Sequence, residues 1–333
     1  MTAGPPGLDP AGLAARLAAA GIPVARGVPV ADLTTYRVGG PLAVLARVES
    51  PAQLAALAGA LADGVPPLLV VGRGSNLLVA DAGFPGLGLV LGPGFETLDV
   101  SSDPDVARAG AAVPLPVLAR RSAGAGRGGL EFFVGIPGSV GGAVRMNAGG
   151  HGRETADVLV AAEVVDLARS GSVPERRGGS VHRSLTELGF GYRRSALTAT
   201  EVVTAATFRV EPGRAAAGEA ALADVVRWRR EHQPGGSNAG SVFANPPGDS
   251  AGRLIDSLGL KGLRVGGAVV SPKHANFFQA EGGATADDVR ALVLEVRRRV
   301  LDATGITLVP ELRMIGFADD PADPSDRATG GAA

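Results

Sequence analysis

The 333-residue sequence contains no cysteine. Disulfides, thiolate metal sites and thiol catalysis are therefore excluded, and redox chemistry would need a bound cofactor. The formal net charge of -1 gives no long-range field. We expect neither a nucleic-acid nor a membrane partner, and an anionic ligand must be held by local groups. The histidines show no metal-ligand spacing, so we expect no metal site; they are His151, His182, His232 and His274.

Long apolar runs are also missing, since no segment approaches the roughly 20 apolar residues that span a bilayer. The first thirty residues lack a basic start and a continuous apolar core, because Arg16 interrupts the only Ala/Leu-rich stretch. This stretch predicts a short helix rather than a signal peptide, and we expect a cytoplasmic protein. We also expect a monomer.

Glycine and proline are abundant, with 50 and 24 residues, in a chain that is 45% hydrophobic and 20% charged. This composition is typical of a globular protein rich in turns. At about 150 residues per domain, the length suggests two domains. The boundaries that we expect are an N-terminal extension at 1–29, a first α+β domain at 30–212, a smaller α+β domain at 213–317 and a disordered tail at 318–333, with a linker around 211–220.

Local patterns predict the main helices and strands. Ser50 as N-cap and Pro51 at the first helical position indicate a helix with Leu54, Leu57 and Leu61 on one face. A helix runs from about Ala215 towards Arg230, and a capping-box variant at Thr285 begins another, which Gly305 ends. Apolar runs predict strands at 68–71, 87–91, 109–113, 157–166, 201–210 and 306–317.

Two nucleotide-binding signatures can be set aside. GAGRGG at 124–129 matches G-x-G-x-x-G, but it follows the helix-like VLARRSA and opens no helix, so it does not indicate a Rossmann site. No glycine-rich stretch ends in Gly-Lys-Ser/Thr, so the phosphate-binding loop of nucleoside triphosphatases is absent as well.

Two other glycine-rich loops are candidates for a ligand site. GRGSNLLVAD at 72–81 directly follows an apolar run, and its glycines would let backbone N–H groups approach a phosphate. An ordinary turn capped by Ser75 and Asn76 explains it equally well. FFVGIPGSVGGAVRMNAGG at 132–150 carries hardly a charge except Arg145, which suits a large flat ligand lined by backbone amides. A buried backbone crossing or a mobile lid is the alternative.

Eight motifs in chain order resemble those of the UDP-N-acetylenolpyruvoylglucosamine reductase family over about residues 30–317. They are TTYRVGG, GRGSNLLVAD, GIPGSVGGAVRMNAGG, GFGYRRS, SNAGSVFANP, GLKGLRVGGAVVS, KHANFF and VPELRMIG. The short path from TFRV to SNAGS resembles the subclass that lacks an extra substrate-covering tyrosine loop. The resemblance implies an FAD-binding domain of the vanillyl-alcohol-oxidase (PCMH) type, in which no Rossmann fold holds the flavin, and a smaller α+β substrate-binding domain.

The same resemblance implies a reaction and its cofactors, FAD and NADPH. Members reduce UDP-N-acetylglucosamine enolpyruvate to UDP-N-acetylmuramate, a precursor of peptidoglycan, by passing a hydride from NADPH through the flavin N5 to the enolpyruvyl methylene carbon. The residues that would cradle the FAD pyrophosphate are Gly72, Gly74, Ser75, Asn76 and Leu77. Those that would line the rest of the flavin are Gly135, Ile136, Pro137, Gly138, Ser139, Gly142, Ala143 and Val144. A covalent link to the flavin would need a histidine or cysteine in these loops. They contain neither, and His151 lies just beyond them, so we expect the flavin to be bound non-covalently.

Hydride addition to an enolpyruvate loads negative charge onto its α carbon and carboxylate, so the site needs a cation and a proton donor. By resemblance, Arg193 holds the carboxylate, which a guanidinium can bind with two hydrogen bonds. Ser241 matches the serine that protonates the α carbon, and Glu311 matches a glutamate that acts on the enolate. Strand alternation would turn Glu311 to the face opposite Leu312. A turn arginine, a capping serine and a surface carboxylate are the structural alternatives.

Tyr192, Arg229 and Asn245 match family positions near the substrate. The sequence also departs from the family pattern, because Ala244 and His232 stand where longer polar residues are usual, and NAGGHG replaces NAGAYG. The contacts of the substrate diphosphate are therefore unassigned, with Lys273 and His274 as candidates.

Two other functions fit part of the pattern. An FAD-dependent oxidase of the same superfamily would share the glycine-rich loops but use oxygen, and SNAGS together with VPELR argues against it. A non-catalytic nucleotide-sugar-binding regulator would account for Ala244 and His232, yet it has no need for Ser241, Arg193 and Glu311 as a set.

Overall fold

The computed structural model describes residues 8–168 and 179–317. Its helices are α1 Pro10–Ala19, α2 Pro51–Ala60, α3 Leu115–Gly124, α4 Val140–Met146, α5 Thr155–Val158, α6 Leu185–Leu188, α7 Ala215–His232, α8 Ala251–Ser257 and α9 Ala286–Thr304. Its strands are β1 Val24–Pro29, β2 Pro41–Val48, β3 Leu68–Val70, β4 Leu77–Val79, β5 Phe84–Leu91, β6 Leu98–Asp99, β7 Val106–Gly110, β8 Arg127–Gly128, β9 Gly149–Gly150, β10 Arg153–Glu154, β11 Leu159–Asp166, β12 Val181–Ser184, β13 Glu201–Arg209, β14 Glu211–Pro212, β15 Arg264–Val265, β16 Ala268–Val270, β17 Phe278–Ala280 and β18 Arg313–Ile315.

The strands form three principal sheets. The first has the order β1-β2-β5-β3, in which β5 runs parallel to β2 and to β3 while β1 is antiparallel to β2. The second is antiparallel with the order β12-β11-β13-β7-β6, and the third is the small antiparallel sheet β15-β16-β17. Separately, β4 pairs in parallel with β18 near the end of the described chain. The mixture of helices and sheets agrees with the predicted α+β class.

Helices α2 and α9 form for the local reasons that the sequence predicts. The Ser50 hydroxyl accepts a hydrogen bond from the N–H of Gln53, and the leucines predicted to share a face are buried. Thr285 and Asp288 form a reciprocal capping box at the start of α9, and Gly305 ends that helix in the left-handed conformation. The apolar stripe of α9 is fully buried, and it consists of Val289, Leu292, Val293, Val296 and Val300.

The core around α9 draws on both ends of the chain. Most of its members follow residue 238, but Tyr36, Val38, Leu78 and Ala80 belong to it as well. Strand β4 thus packs with the C-terminal elements although it precedes them by more than 150 residues in the sequence. The other cores lie between α1, α2 and the first sheet, within the first sheet itself, and between the second sheet and helices α3 and α4. Consequently, the loop that precedes β4 lies where the two parts of the fold meet.

Several sequence-based expectations were wrong in detail. The strand expected at 109–113 is β7, which ends at Gly110, because the carbonyls of Ala111 and Val113 instead accept hydrogen bonds from the start of α4. The strand expected over 306–317 shrinks to β18. The expected linker at 211–220 is ordered, since β14 pairs with β8 and α7 packs against α3. Residues 24–29, assigned to an extension, form an edge strand of the first sheet. The expected tail lies outside the described residues.

Within residues 8–168 and 179–317, no helix is both long enough and apolar enough to cross a bilayer.

Candidate active site

The loop between β3 and β4, residues 72–76, is shaped by one glycine. Gly74 has a φ of 60°, and a Cβ atom built on it would lie 2.1 Å from the carbonyl oxygen of Leu33. The Gly74 carbonyl accepts a hydrogen bond of 3.2 Å from the N–H of Thr35. The chain must therefore have glycine here to let the loop press against residues 33–35.

The second glycine-rich segment packs directly on this loop. A Cβ atom on Gly72 would lie 2.5 Å from the hydroxyl of Ser139, and the Cβ position of Gly138 lies 3.8 Å from the hydroxyl of Ser75. Ser139 is 3% exposed and precedes α4. The structure thus brings together the two loops that the sequence singles out, although they are more than sixty residues apart.

The two loops differ in how many backbone donors they leave unpaired. The N–H groups of Val140 and Gly141 donate to the carbonyls of Val113 and Ala111. By contrast, the N–H groups of residues 72–76 donate to no other residue within the described chain. Beside them, Thr34 Oγ1 is buried and has no hydrogen-bond partner in the described residues. This arrangement fits a phosphate-bearing group at residues 72–76 better than at the first turn of α4.

Asn76 connects the loop to the C-terminal strand. Its Nδ2 donates to the carbonyl of Glu311 at 3.0 Å, and its own carbonyl accepts from the N–H of Arg313 at 3.0 Å. Leu77 continues this contact, because it stands opposite Arg313 in the parallel β4–β18 pair. The Asn76 side chain, expected to serve a ligand, therefore has a structural partner, and it fixes Glu311 next to the loop.

Arg193 lies in a turn and points its guanidinium into a ring of acceptors. Its φ is 52°, unusual for a residue with a side chain. Nη1 donates to the Asn147 carbonyl at 3.3 Å and to Glu154 Oε1 at 3.0 Å, while Nη2 donates to the Gly149 carbonyl at 3.3 Å. Nε lies 3.6 Å from Glu311 Oε2. The side chain is 23% exposed, so its charge is partly shielded from solvent.

Tyr192 joins this group from the neighbouring position. Its hydroxyl donates to Glu311 Oε1, and the Arg193 guanidinium lies over its ring, 4.9 Å from the centroid. Burial, followed by the hydrogen bond to Glu311 and the charge of that residue, raises the pKa of Tyr192 to about 12. The phenol therefore stays protonated at neutral pH and acts as a donor to the carboxylate.

Ser241 lies on the segment that supports Glu311. It forms an isolated bridge with Phe277, and the carbonyl of the next residue, Val242, accepts from the N–H of Glu311 at 2.8 Å. Ser241 Oγ makes no hydrogen bond with any residue that the structure describes. The Ser241 hydroxyl is half-buried and has no partner among the described residues, so it is available to a ligand. The residue after it, Val242, is hydrogen-bonded to Glu311.

Of the other two predicted substrate residues, Asn245 meets this cluster through its backbone, which hydrogen-bonds to Tyr192. Arg229 has no hydrogen bond to the cluster within the described residues. Asn245 is exposed, and its Oδ1 accepts from the N–H of Ala251, so the side chain caps the start of α8. Arg229, on α7, donates to Gln233 Oε1 at 2.8 Å. Burial lowers the pKa of Arg229, and burial together with the charge of Arg229 lowers the pKa of His151. Their substrate contacts stay predictions.

His232, which departs from the family pattern, and Lys273, a candidate to compensate for the departures, each contact a residue of helix α7. His232 stacks on Trp228 with ring centroids 4.8 Å apart, and Lys273 Nζ donates to the Arg230 carbonyl at 2.5 Å, at the end of α7. The pKa of His274 is lowered, mainly by burial of the imidazole. These contacts do not show whether Lys273 or His274 binds the substrate diphosphate, and that expectation stays a prediction.

Sequence reasoning missed Asn147 and Glu154. Both contact the guanidinium of Arg193, the first through its carbonyl and the second through its carboxylate. Asn147 has a φ of 42° and ends α4. Asparagine directly after a glycine-rich helix is a signal for such a left-handed cap. No feature of the local sequence predicts that Glu154 contacts Arg193.

Comparison with known proteins gives matches over both parts of the chain. A family model described as "FAD binding domain" matches residues 41–173, and one described as "UDP-N-acetylenolpyruvoylglucosamine reductase, C-terminal domain" matches residues 232–315. The predicted fold class, an FAD-binding domain of the vanillyl-alcohol-oxidase type with a smaller α+β domain, is confirmed. The exact boundaries stay predictions.

Relatives that match over nearly their whole length have the same name as the second of these family models. The UDP-N-acetylenolpyruvoylglucosamine reductase of Methylorubrum extorquens (strain PA1) is 46% identical over 295 residues, which are 88% of this chain and 92% of the relative. That of Azorhizobium caulinodans is 44% identical over 309 residues, 90% of this chain and 95% of the relative. The crystal structure of UDP-N-acetylenolpyruvylglucosamine reductase from Thermus caldophilus superposes with a TM-score of 0.74 at 40% identity, covering 89% of this chain and 100% of that one.

Proposed function

The chain belongs to the UDP-N-acetylenolpyruvoylglucosamine reductase family, and we propose that it carries out the reaction for which that family is named. It is an FAD-dependent oxidoreductase that uses NADPH to convert UDP-N-acetylglucosamine enolpyruvate to UDP-N-acetylmuramate in peptidoglycan precursor synthesis. The observation that carries this proposal is the meeting of Arg193, Tyr192 and Glu311 beside the amide loop at 72–76. These are the groups needed by an anionic enolpyruvyl substrate next to a phosphate-bearing cofactor.

The residues that would hold FAD fit that group. The unpaired N–H groups of 72–76 and the buried Thr34 hydroxyl suit the pyrophosphate. The packing of Gly138 and Ser139 on this loop leaves the segment from Gly135 to Val144 to line the rest of the flavin. Bound there, FAD would supply hydride transfer from NADPH to the methylene carbon of the enol ether.

Arg193 would bind and orient the substrate carboxylate. Of its five N–H donors, three are engaged with Asn147, Glu154 and Gly149. One donor on Nη2 remains, and the Nε donor lies 3.6 Å from Glu311 Oε2, which is beyond hydrogen-bond distance, so these two can meet the two oxygens of a carboxylate. As negative charge builds up on the carboxylate and α carbon, the fixed positive charge stabilises it without reorganisation.

Ser241 would deliver the proton to the α carbon. A serine hydroxyl is a weak acid, but a carbanion-like enolate is basic enough to take its proton, and solvent can restore it. Glu311 is held between Tyr192, Arg193 and the Asn76 side chain. Glu311 would act on the enolate either as a protonated carboxyl group or through its contacts with these neighbours. Tyr192, Arg229 and Asn245 are proposed to contact the remainder of the substrate.

Further aspects of the proposal concern the whole protein. We infer that it works in the cytoplasm as a monomer, with NADPH and the nucleotide sugar as its ligands and without a nucleic-acid or membrane partner. The net charge of -1 supports the lack of a nucleic-acid or membrane partner, and the absence of cysteine fits the cytoplasm.

The test follows the flavin spectrum of the purified protein without oxygen. We expect a yellow protein that releases FAD on denaturation, loses its colour with NADPH and regains it with the enolpyruvyl substrate. Rapid recovery with air alone and none with the substrate would instead identify an oxidase. A protein that takes up FAD and the nucleotide sugar but is not reduced by NADPH would identify a regulator, and a colourless protein that cannot bind FAD would end the proposal.

A further inference from the structure

Glu154 contacts Arg193 through one carboxylate oxygen and Asn147 through the other. Oε1 accepts from Arg193 Nη1 at 3.0 Å, and Oε2 accepts from Asn147 Nδ2 at 2.8 Å. The backbone of Glu154 is itself fixed, because its N–H donates to Asp157 Oδ2 at 2.7 Å at the start of α5. Both oxygens of this carboxylate are therefore committed to partners that stand beside the proposed carboxylate site.

Asn147 ties three segments together. Its side chain donates to Glu154 and to the carbonyl of Gly191 at 3.1 Å, and its Oδ1 accepts from the N–H of Ala156 at 2.9 Å. It is 2% exposed. Asn147 thus joins the end of α4, which follows the proposed flavin-lining segment, to the turn that carries Arg193 two residues after Gly191. A buried amide with all these bonds satisfied holds its neighbours in one arrangement.

Among the described residues, hydrogen bonds leave one edge of the guanidinium without an acceptor in range, and this edge faces Glu311, whose Oε2 lies 3.6 Å from Nε. Glu154 and the Asn147 carbonyl take both N–H donors of Nη1, and the Gly149 carbonyl takes one donor of Nη2. The donors that remain, on Nε and Nη2, are adjacent on the planar group. Without Glu154, the flexible arginine side chain could present either edge or turn away.

We propose that Glu154 and Asn147 are positioning residues that hold Arg193 with its Nε/Nη2 edge towards the substrate carboxylate. This inference rests on the proposed function and deepens it, since neither residue touches the substrate. Glu154 acts through geometry although its charge opposes the incoming carboxylate. The hydrogen bond to Nη1 orients the fork, and correct orientation of a bound group is worth more than the repulsion of one partly shielded charge costs.

Variants of Glu154 separate geometry from charge. Glu154→Gln removes the charge and keeps one oxygen, which can accept from Arg193, whereas its amide nitrogen is a donor and cannot accept from Asn147 Nδ2. Glu154→Asp keeps the charge but is one methylene too short to reach Arg193 Nη1 from the fixed backbone of residue 154, and Glu154→Ala loses charge and contact. We expect E154Q to keep kcat/KM for the enolpyruvyl substrate within about threefold of the wild type. E154D and E154A should lose about tenfold, mainly through KM, which corresponds to about 1.4 kcal/mol.

The experiment measures reoxidation of the NADPH-reduced protein by the enolpyruvyl substrate, and flavin reduction by NADPH separately. The flavin spectrum and the reduction by NADPH should not change in any Glu154 variant. In an Arg193→Lys background, E154A should have less than a twofold further effect, because there is no fork left to orient. Glu163→Ala is the matched control, since Glu163 pairs with Arg108 on the second sheet, away from the site, and should leave all rates unchanged.

Equal losses in E154Q and E154A, or full activity in E154D, would overturn the inference, because charge or bulk rather than geometry would then be responsible. An E154A effect that simply adds to that of R193K, or a loss of FAD from E154D, would overturn it as well. If the wild type is not reoxidised by the enolpyruvyl substrate, the proposed function fails and the inference with it. If the wild type reacts normally and E154D does too, only the inference fails.

Discussion

Replacement of Arg193 by lysine keeps the positive charge and removes the forked geometry. The guanidinium has five N–H donors, of which three go to Asn147, Glu154 and Gly149. A lysine ammonium has three donors on a single nitrogen, so it cannot satisfy these acceptors and also grip a carboxylate with two hydrogen bonds. Loss of one charge-assisted hydrogen bond costs about 1.5–3 kcal/mol, which corresponds to about 10- to 150-fold in rate.

We therefore expect Arg193→Lys to lower kcat/KM for the enolpyruvyl substrate at least about tenfold. The assay is reoxidation of the reduced flavin at limiting substrate, without oxygen. Arg194→Lys is the matched control, because the neighbouring arginine is exposed and its hydrogen bonds to Gly191 are made by its backbone; it should change the rate less than about twofold. Unchanged turnover of Arg193→Lys at limiting substrate would show that Arg193 is only a turn residue.

Three further variants test other parts of the structure. Ser241→Ala should slow reoxidation by the substrate about a hundredfold while NADPH still reduces the flavin normally, with Ser241→Cys retaining more activity; equal loss in both half-reactions would make Ser241 a structural cap. Gly74→Ala forces a Cβ to within 2.1 Å of the Leu33 carbonyl oxygen and should lower FAD content, measured by absorbance. Gly124→Ala, with open space around it, should not. Thr285→Ala removes the cap of α9 and should cost about 1 kcal/mol in denaturant unfolding; no loss would show that the box contributes nothing.

Features that depend on neighbouring residues could be predicted from the sequence. Ser50 at the start of α2 and the stripe that ends at Val300 in α9 are specified within one or two helical turns. The strand expected over 306–317 failed because an apolar run forms a strand only where a partner strand is available. Within that run β4 pairs with Arg313–Ile315, and residues 309–311 meet residues 242–244 only through an isolated bridge at Pro310, which is too short to form a strand.

The candidate site shows the same division between local and distant information. Motif resemblance found Arg193 and Glu311, and the structure brings their side chains to 3.6 Å. Glu154 was missed because it lies 39 residues from Arg193 in sequence, and a glutamate in a glycine-rich stretch is most simply explained as a solvated charge. The two residues meet through the turn in which Arg193 has a φ of 52°.

The amide loop and the proposed enolate-binding group are held together by very few bonds. Asn76 reaches Glu311 across 235 residues of sequence with one side-chain hydrogen bond, and the Asn76 carbonyl takes the N–H of Arg313. Tyr192 and Arg193 approach Glu311 from a third segment. None of these segments can supply the site alone, because the loop holds the amides, the C-terminal segment the carboxylate, and the third segment the guanidinium and the phenol. The proposed site is therefore assembled beside the β4–β18 pair, and the two hydrogen bonds of Asn76, one donated and one accepted, extend this short parallel pair towards Glu311.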